Sequence, residues 1–472
     1  MNISNPTDKP IISRRQLRRQ VLALAIPIIA ENMLLSMVEY VDTAMVGSLG
    51  PNATASVACT TPVMWLLNSL IMAISVGGMV AVAQSIGAGD FTRARRVSSQ
   101  AFLAVAVLGL GIGAVLLFFS GKIPVFMGVD PEIYGLASTY IAILALGMPM
   151  HCASTVFCGI IRGAGDTRTP MGFNMFTNIC NIIGNFLLIF PCRLITLGPV
   201  SFNMWGAGLG VAGAAISSSL ARTVSGLAIL YIMTRRSDVT LQLRGLRPDR
   251  DVLSQILRIG LPTALERLAI NSGHLVYARL VAGLGTVTLA AHQLCLTAES
   301  ISFLPAIGFE TAATTLAGQS AGARQYEEGR RRVGMTVELC IYCVAVMALV
   351  LFFGCNFILG LLTPSGEVIA EGCKALRTVA FFEICYGIQA VFAGGLRGVG
   401  ATREPLYIGL GSMWLLRIPL ALFFLYRLGG GISSVWLAMG LDLLLRAGLT
   451  AWRFYGGSWE GKLRAQEPNE QL

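Results

Sequence analysis

The chain has 472 residues, 54% hydrophobic and 13% charged, with a formal net charge of +10 and a mean hydropathy of +0.69. That composition excludes an ordinary soluble domain. The positive balance does not indicate nucleic acid either, because the basic residues are scattered over short loops and not gathered on one face with aromatics. It reads as membrane topology, with contacts to anionic lipid headgroups.

Apolar runs long enough to cross ~30 Å of hydrocarbon, which takes roughly 20 residues, recur twelve times. They cover 20–46, 54–86, 98–120, 131–158, 168–192, 206–233, 253–281, 288–317, 333–358, 367–394, 404–426 and 432–455. The predicted fold is all-α and polytopic, with twelve transmembrane helices. Lys and Arg concentrate in alternate loops, as the positive-inside rule requires. Arg14, Arg15, Arg18 and Arg19 precede the first span; Arg93, Arg95 and Arg96, then Arg162 and Arg168, and later Arg235, Arg236, Arg330 to Arg332, Arg397, Arg403, Lys462 and Arg464 mark the same side. Both termini are therefore expected in the cytoplasm. The first span exceeds a signal h-region and holds Glu31, so it reads as an uncleaved insertion signal. Of the eleven cysteines only Cys340 and Cys343 are spaced as CxxC, inside an apolar span, and most of the others also fall within apolar spans, so neither disulfides nor zinc are expected.

The chain also repeats itself. Pro27 and Pro262, Gly50 and Gly285, Gln84 and Gln319, Arg162 and Arg397, and Pro170 and Pro405 all differ by 235. Further on, GVAGAAISSSLAR (210–222) echoes SVWLAMGLDLLLR (434–446) at 224, so the second half is shorter by 235 − 224 = 11 residues, lost around Pro191 to Trp205. Six helices per half is an even number, so both halves enter the membrane alike and are related by an axis along its normal, with a cavity between them. The expected division is an N-terminal lobe 1–236, a cytoplasmic linker 237–255 and a C-terminal lobe 256–472.

A charge at mid-bilayer costs about 2.5–3.5 kcal/mol on insertion scales, so it normally faces a partner, a cavity or an ion. Glu31, Glu39 and Asp42 lie in the first span; Glu31 and Asp42 are eleven residues apart, about 20° on a helical wheel. Glu266 is the copy of Glu31, whereas Tyr277 stands at the copy of Asp42. Glu299, Glu310 and Glu383 have Met64, Ser75 and Met148 as counterparts, which weights cation handling towards the second lobe. Such acids either carry protons or supply the oxygen ligands Na+ prefers. Asp442 with Arg446 and Arg417 reads as a structural ion pair, and Arg267 and Arg279 are further cations available to the acids. Asn174, Asn178, Asn181 and Asn185 form one stripe, which lines a cavity or binds helices together. No nucleophile with a base and no HExxH-type metal set is present, so an enzyme is not expected, nor any cofactor beyond the coupling ion.

VDTAMVGSLG (41–50), RGAGDTRTP (162–170), AAHQ (290–293), AATTLAGQSAGA (312–323) and RGVGATREP (397–405) together resemble the repeated signatures of the multidrug and toxic compound extrusion (MATE) family. The resemblance implies twelve helices in two six-helix lobes and export of organic, often cationic, compounds or a metabolite in exchange for Na+ or H+. It implies a protein of the plasma membrane (the inner membrane in bacteria), for which a monomer suffices. Asp42 matches the aspartate of the family's VDT motif, implicated in cation coupling. Asn181 and Asn185 match positions that in the DinF-like branch read Asn and then Asp; here the acid is an amide. Glu266 resembles the family's helix 7 glutamate, and the helix 10 aspartate of the NorM-like branch aligns with Tyr386, one turn after Glu383.

Residues and resemblance together assign cation coupling to Asp42, Glu31, Glu266, Glu299, Glu310 and Glu383, with Na+ at the acids as one alternative. Asn178, Asn181, Asn185, Tyr277 and Tyr386 are expected along the substrate cavity, and Pro27 and Pro262 at bends of a gate. A lipid-linked flippase of the same superfamily is the alternative. It needs a cationic lumen, whereas the intramembrane excess reads as acidic.

Overall fold

The computed structural model describes residues 13–197, 200–242, 247–457 and 459–461; Lys462, Arg464 and linker residues 243–246 lie outside the described residues. The first half contains α1 (Arg14–Gly47), α2 (Pro51–Ala58), α3 (Thr61–Gly87), α4 (Phe91–Phe119), α5 (Ile123–Phe126), α6 (Tyr134–Gly163), α7 (Arg168–Leu188), an antiparallel hairpin of β1 (Pro191–Leu197) and β2 (Val200–Ala207), and α8 (Gly210–Arg235). The second half contains α9 (Arg250–Ala282), α10 (Thr286–Gly322), α11 (Tyr326–Leu362), α12 (Gly366–Ala380), α13 (Glu383–Gly398), α14 (Arg403–Gly411), a π-helical turn over 412–417, α15 (Ile418–Tyr426) and α16 (Ile432–Tyr455).

These elements make the twelve crossings of an all-α polytopic membrane protein. Eight are long and apolar enough on their own, and α12 with α13, bent by 51°, makes a ninth. The remaining three, α7, α9 and α10, are as long but carry the asparagine stripe and several buried charges. Pro62, in the first turn of α3, has no N–H to continue the helix from α2, which explains the break there. The repeat is visible in the helix ends: α1 and α9 end at 47 and 282, α3 and α10 at 87 and 322, α6 and α13 at 163 and 398, each pair 235 apart. Gly50 and Gly285 precede the next helix at φ 110° and 109°, a backbone conformation that L side chains rarely adopt. The eleven surplus residues of the first half fall in the β1–β2 hairpin.

The two lobes exchange their first helix ends. Leu17 and Val21 of α1 are buried in the core of α10, α11 and α13, and their copies, Val252 and Ile256 of α9, are buried in the core of α3, α4 and α6. Glycines permit this crossing: a Cβ on Gly260 would fall 1.7 Å from the Ala73 carbonyl oxygen, and one on Gly77 2.1 Å from that of Ile256. The segment read as a linker is docked on the first lobe. Val239 and Leu241 join its core, Gln100 donates to the Arg247 carbonyl at 2.8 Å, and α9 already begins at Arg250. Arg14 pairs with Glu338 at 2.8 Å and Glu460 with Arg330 at 2.8 Å, so the first and last described segments lie against the first half of α11, on one side of the molecule.

Candidate transport cavity and ion sites

A cavity of about 480 Å³ opens in the first lobe, lined by α1, α3, α6, α7 and α8, and is closed by Thr263 and Arg267 of α9, Glu310 and Thr314 of α10 and Arg397 of α13. Within α1, Pro27 cannot donate to the Ala23 carbonyl; Thr167 takes that carbonyl instead, at 3.3 Å, so the freed acceptor is satisfied from the loop before α7.

Two repeat-related ion clusters flank the cavity. Glu31 accepts from Arg162 and from Asn174. Its copy Glu266 accepts from Arg397, the copy of Arg162, at 3.0 and 2.9 Å, and Arg397 also holds Glu310. Arg162 and Arg397 were expected as loop charges that mark topology. They sit in the last turns of α6 and α13 and turn inward to the acids, while Arg267 and Arg279 make no ion pair among the described residues. Glu31, Glu266 and Glu310, expected as coupling acids, are each ion-paired.

Asp42 is different. It has no ion pair among the described residues, and amides surround it. Asn185 donates to it at 2.6 Å. With the Asn181 amide oriented by its neighbours, its nitrogen donates to Asp42 at 2.9 and 3.0 Å while its oxygen accepts from Ser218 at 3.1 Å. The asparagine stripe therefore serves both expected uses: Asn178 and Asn181 line the cavity, and Asn174, Asn181 and Asn185 tie α7 to the acids of α1.

A third cluster is sealed inside the second lobe. Glu299 and Glu383 are 1% and 0% exposed and within electrostatic reach of each other. Ser302 donates to Glu383 at 2.8 Å; both Glu299 oxygens and the other Glu383 oxygen find no partner among the described residues. Beside them Asp442 binds Arg446 at 3.0 Å and Arg417 at 3.9 Å, the ion pair expected from the i, i+4 spacing.

Three cavity expectations are corrected. Tyr277 is 1% exposed, with its hydroxyl on the Val435 carbonyl and its ring under Arg417; Tyr386 packs at a tilt against Phe303, ring centroids 4.2 Å apart; and Asn185 is buried. Packing holds all three off the cavity. Its lining is not acidic in excess: Glu31, Glu39, Asp42 and Glu310 face Arg162, Arg222, Arg267 and Arg397, four charges of each sign. Arg222 escaped sequence reasoning, although the 224-residue echo aligns it with Arg446.

Two six-helix halves around a polar, charge-lined cavity define a membrane transporter, not an enzyme. The MatE family model matches twice, at residues 27–187 and 262–423, two stretches that begin 235 residues apart. The chain belongs to the MatE family. It is 29% identical to a probable multidrug resistance protein NorM of Thermotoga maritima, covering 94% of each chain, and 24% identical to an uncharacterized transporter YisQ of Bacillus subtilis, covering 93% of this chain and 94% of that one. Its fold matches a solved outward-facing conformation of a multidrug resistance MATE family transporter with a TM-score of 0.85 at 23% identity, over 98% of this chain and 100% of that one.

Proposed function

We propose that this transporter is a secondary active exporter of small organic compounds in exchange for Na+ or H+, working by alternating access in the plasma membrane, the inner membrane in bacteria, with both termini cytoplasmic. The relatives named for multidrug resistance support export. Residues 1–236 and 256–472 act as the moving lobes, and 237–255 joins them on the cytoplasmic side. Because the lobes cross tightly on the side of the termini, the cavity in this state opens outward. Pro27 and Pro262 are the bends at which α1 and α9 flex.

The carrying observation is Asp42: a carboxylate in the cavity wall, held by amides and, among the described residues, in no ion pair. An acid so placed binds a proton or a Na+ at low cost, and the Asn181 and Asn185 amides reorient with its occupancy. Glu299 and Glu383, with three oxygens unpartnered among the described residues, form a second coupling position. Glu31, Glu266 and Glu310 act through their arginines, holding the lobes' shape around the cavity.

Efflux of a fluorescent organic cation from proteoliposomes, with Na+ and H+ gradients imposed separately, tests this reading. Efflux under one gradient, lost in Asp42→Asn with folding intact, is expected; exchange kinetics unchanged in Asp42→Asn and Glu383→Gln would sink the coupling assignment.

A further inference from the structure

The repeat supplies an internal control for one cavity residue. Arg446 in α16 and Arg222 in α8 are equivalent at the 224-residue offset. Arg446 is neutralised: Asp442, one turn earlier, holds it at 3.0 Å through both Nε and Nη2, and Ser412 accepts from its Nε at 2.6 Å. At the position of Asp442 the first lobe has Ser218, whose hydroxyl is engaged by Asn181. Arg222 therefore stands midway along α8 in the cavity wall with no ion pair or hydrogen bond among the described residues.

The second lobe contributes a similar residue to the same cavity. Arg267 lies midway along α9, lines the same cavity, and likewise has no ion pair among the described residues, because Arg397 has taken its neighbour Glu266. The other two cavity arginines, Arg162 and Arg397, are ion-paired to Glu31, Glu266 and Glu310. An arginine at mid-membrane with no partner normally marks a substrate or ion path, and its planar fork matches a carboxylate or phosphate.

We infer that Arg222 and Arg267 form an anion-recognition subsite, and that the preferred substrates are amphoteric small molecules, with a carboxylate or phosphate-like group as well as a cationic portion. The cationic portion has its own complement: Glu39 and Asp42 line the same cavity within electrostatic reach of Arg222. At about 480 Å³ the cavity is sized for one drug-like molecule. This inference rests on the export reading and names the substrate class of that same site.

A matched dye pair tests it: a rhodamine with a free benzoate, which is zwitterionic, and its ethyl ester, which is only cationic. In proteoliposomes the acid should show the lower KM. Arg222→Gln and Arg267→Gln should each raise the KM for the acid by about tenfold or more, the scale of one charge-assisted hydrogen bond, and change that for the ester several-fold less. Arg222→Lys, which keeps the charge, should restore part of the preference and controls for misfolding. An equal change for both dyes, or a wild-type protein that prefers the ester, would overturn the inference. If wild-type protein moves neither dye, the export reading fails, and binding of the same pair to the purified protein decides the subsite: tighter binding of the acid that depends on Arg222 upholds it, and equal affinities overturn it.

Discussion

Gln84 and Gln319 occupy equivalent points in the two repeats, and each donates across the lobe boundary to an equivalent acceptor: Gln84 to the Gly398 carbonyl at 3.0 Å and Gln319 to the Gly163 carbonyl at 3.3 Å. The acceptors are themselves 235 residues apart and follow Arg397 and Arg162. The lobes are thus latched on the side of the termini by a symmetric pair of bonds next to the symmetric ion clusters. Alternating access requires this latch to break.

Replacing both glutamines by leucine removes two hydrogen bonds of about 1 kcal/mol each, which shifts the balance between the two facing states by roughly tenfold or more. Spin labels at Thr92 and its copy Glu327, both in helix first turns beside the latch, should report a new, longer distance population in Gln84→Leu/Gln319→Leu. An unchanged distribution would show that the latch does not set the equilibrium.

The same boundary depends on two glycines. A Cβ on Gly87 would lie 1.9 Å from the Gln319 carbonyl oxygen, and one on Gly322 1.9 Å from that of Gln84. Both obstacles are backbone, so neither can yield by a side-chain rotation. Gly87→Ala and Gly322→Ala should each lower the melting temperature and force the lobes apart at the termini. Gly111→Ala in α4, where nothing lies within 4 Å, should not lower it.

The twelve spans and the repeat were legible because hydrophobic runs and a fixed offset are written directly in the chain. The boundaries of the last span, 432–455, were read as the structure has them. The acids were legible too, since a carboxylate in an apolar run stands out. Their partners were not. Arg162 and Arg397 sit at helix ends, where the positive-inside rule already accounts for an arginine, so nothing in the sequence distinguishes a topology marker from a buried ion pair. Tyr277 was misplaced for a related reason: alignment with Asp42 gave its depth, but only three-dimensional packing decides whether a side chain meets the cavity or the Val435 carbonyl.

The two ion clusters differ in their dependence on arginine. Removal of Arg397 strands two carboxylates, Glu266 and Glu310, whereas removal of Arg162 strands Glu31 alone and leaves it the Asn174 amide. Breaking a buried pair costs ~3–5 kcal/mol. Arg397→Ala should therefore lower thermal stability in detergent more than Arg162→Ala, and Glu310→Gln added to Arg397→Ala should recover part of the loss. Equal losses in the two single variants would contradict the triad.

Tyr277 makes a structural bond. Tyr277→Phe removes the hydroxyl's bond to the Val435 carbonyl, in the buried start of α16, and should cost about 0.5–1.5 kcal/mol of stability. The KM for exported dye should be unchanged. A rise in KM with unaltered melting would return Tyr277 to the cavity.

Asp166, in the loop between α6 and α7, gives a pH signature outside the membrane. Burial alone would raise its pKa, but the Thr169 hydroxyl and amide and the Arg236 guanidinium, at 2.6 Å, outweigh burial and hold the carboxyl below its ordinary 3.8. A depressed folded-state pKa contributes stability that is present above the unfolded value and lost as pH falls through the folded one. The difference in melting temperature between the native chain and Asp166→Asn should thus be constant from about pH 8 to pH 5, then shrink below about pH 4 as the carboxylate is protonated. A difference that already fades between pH 7 and pH 5 would mean that burial dominates, and that the tie from this loop to the end of α8 is not ionic.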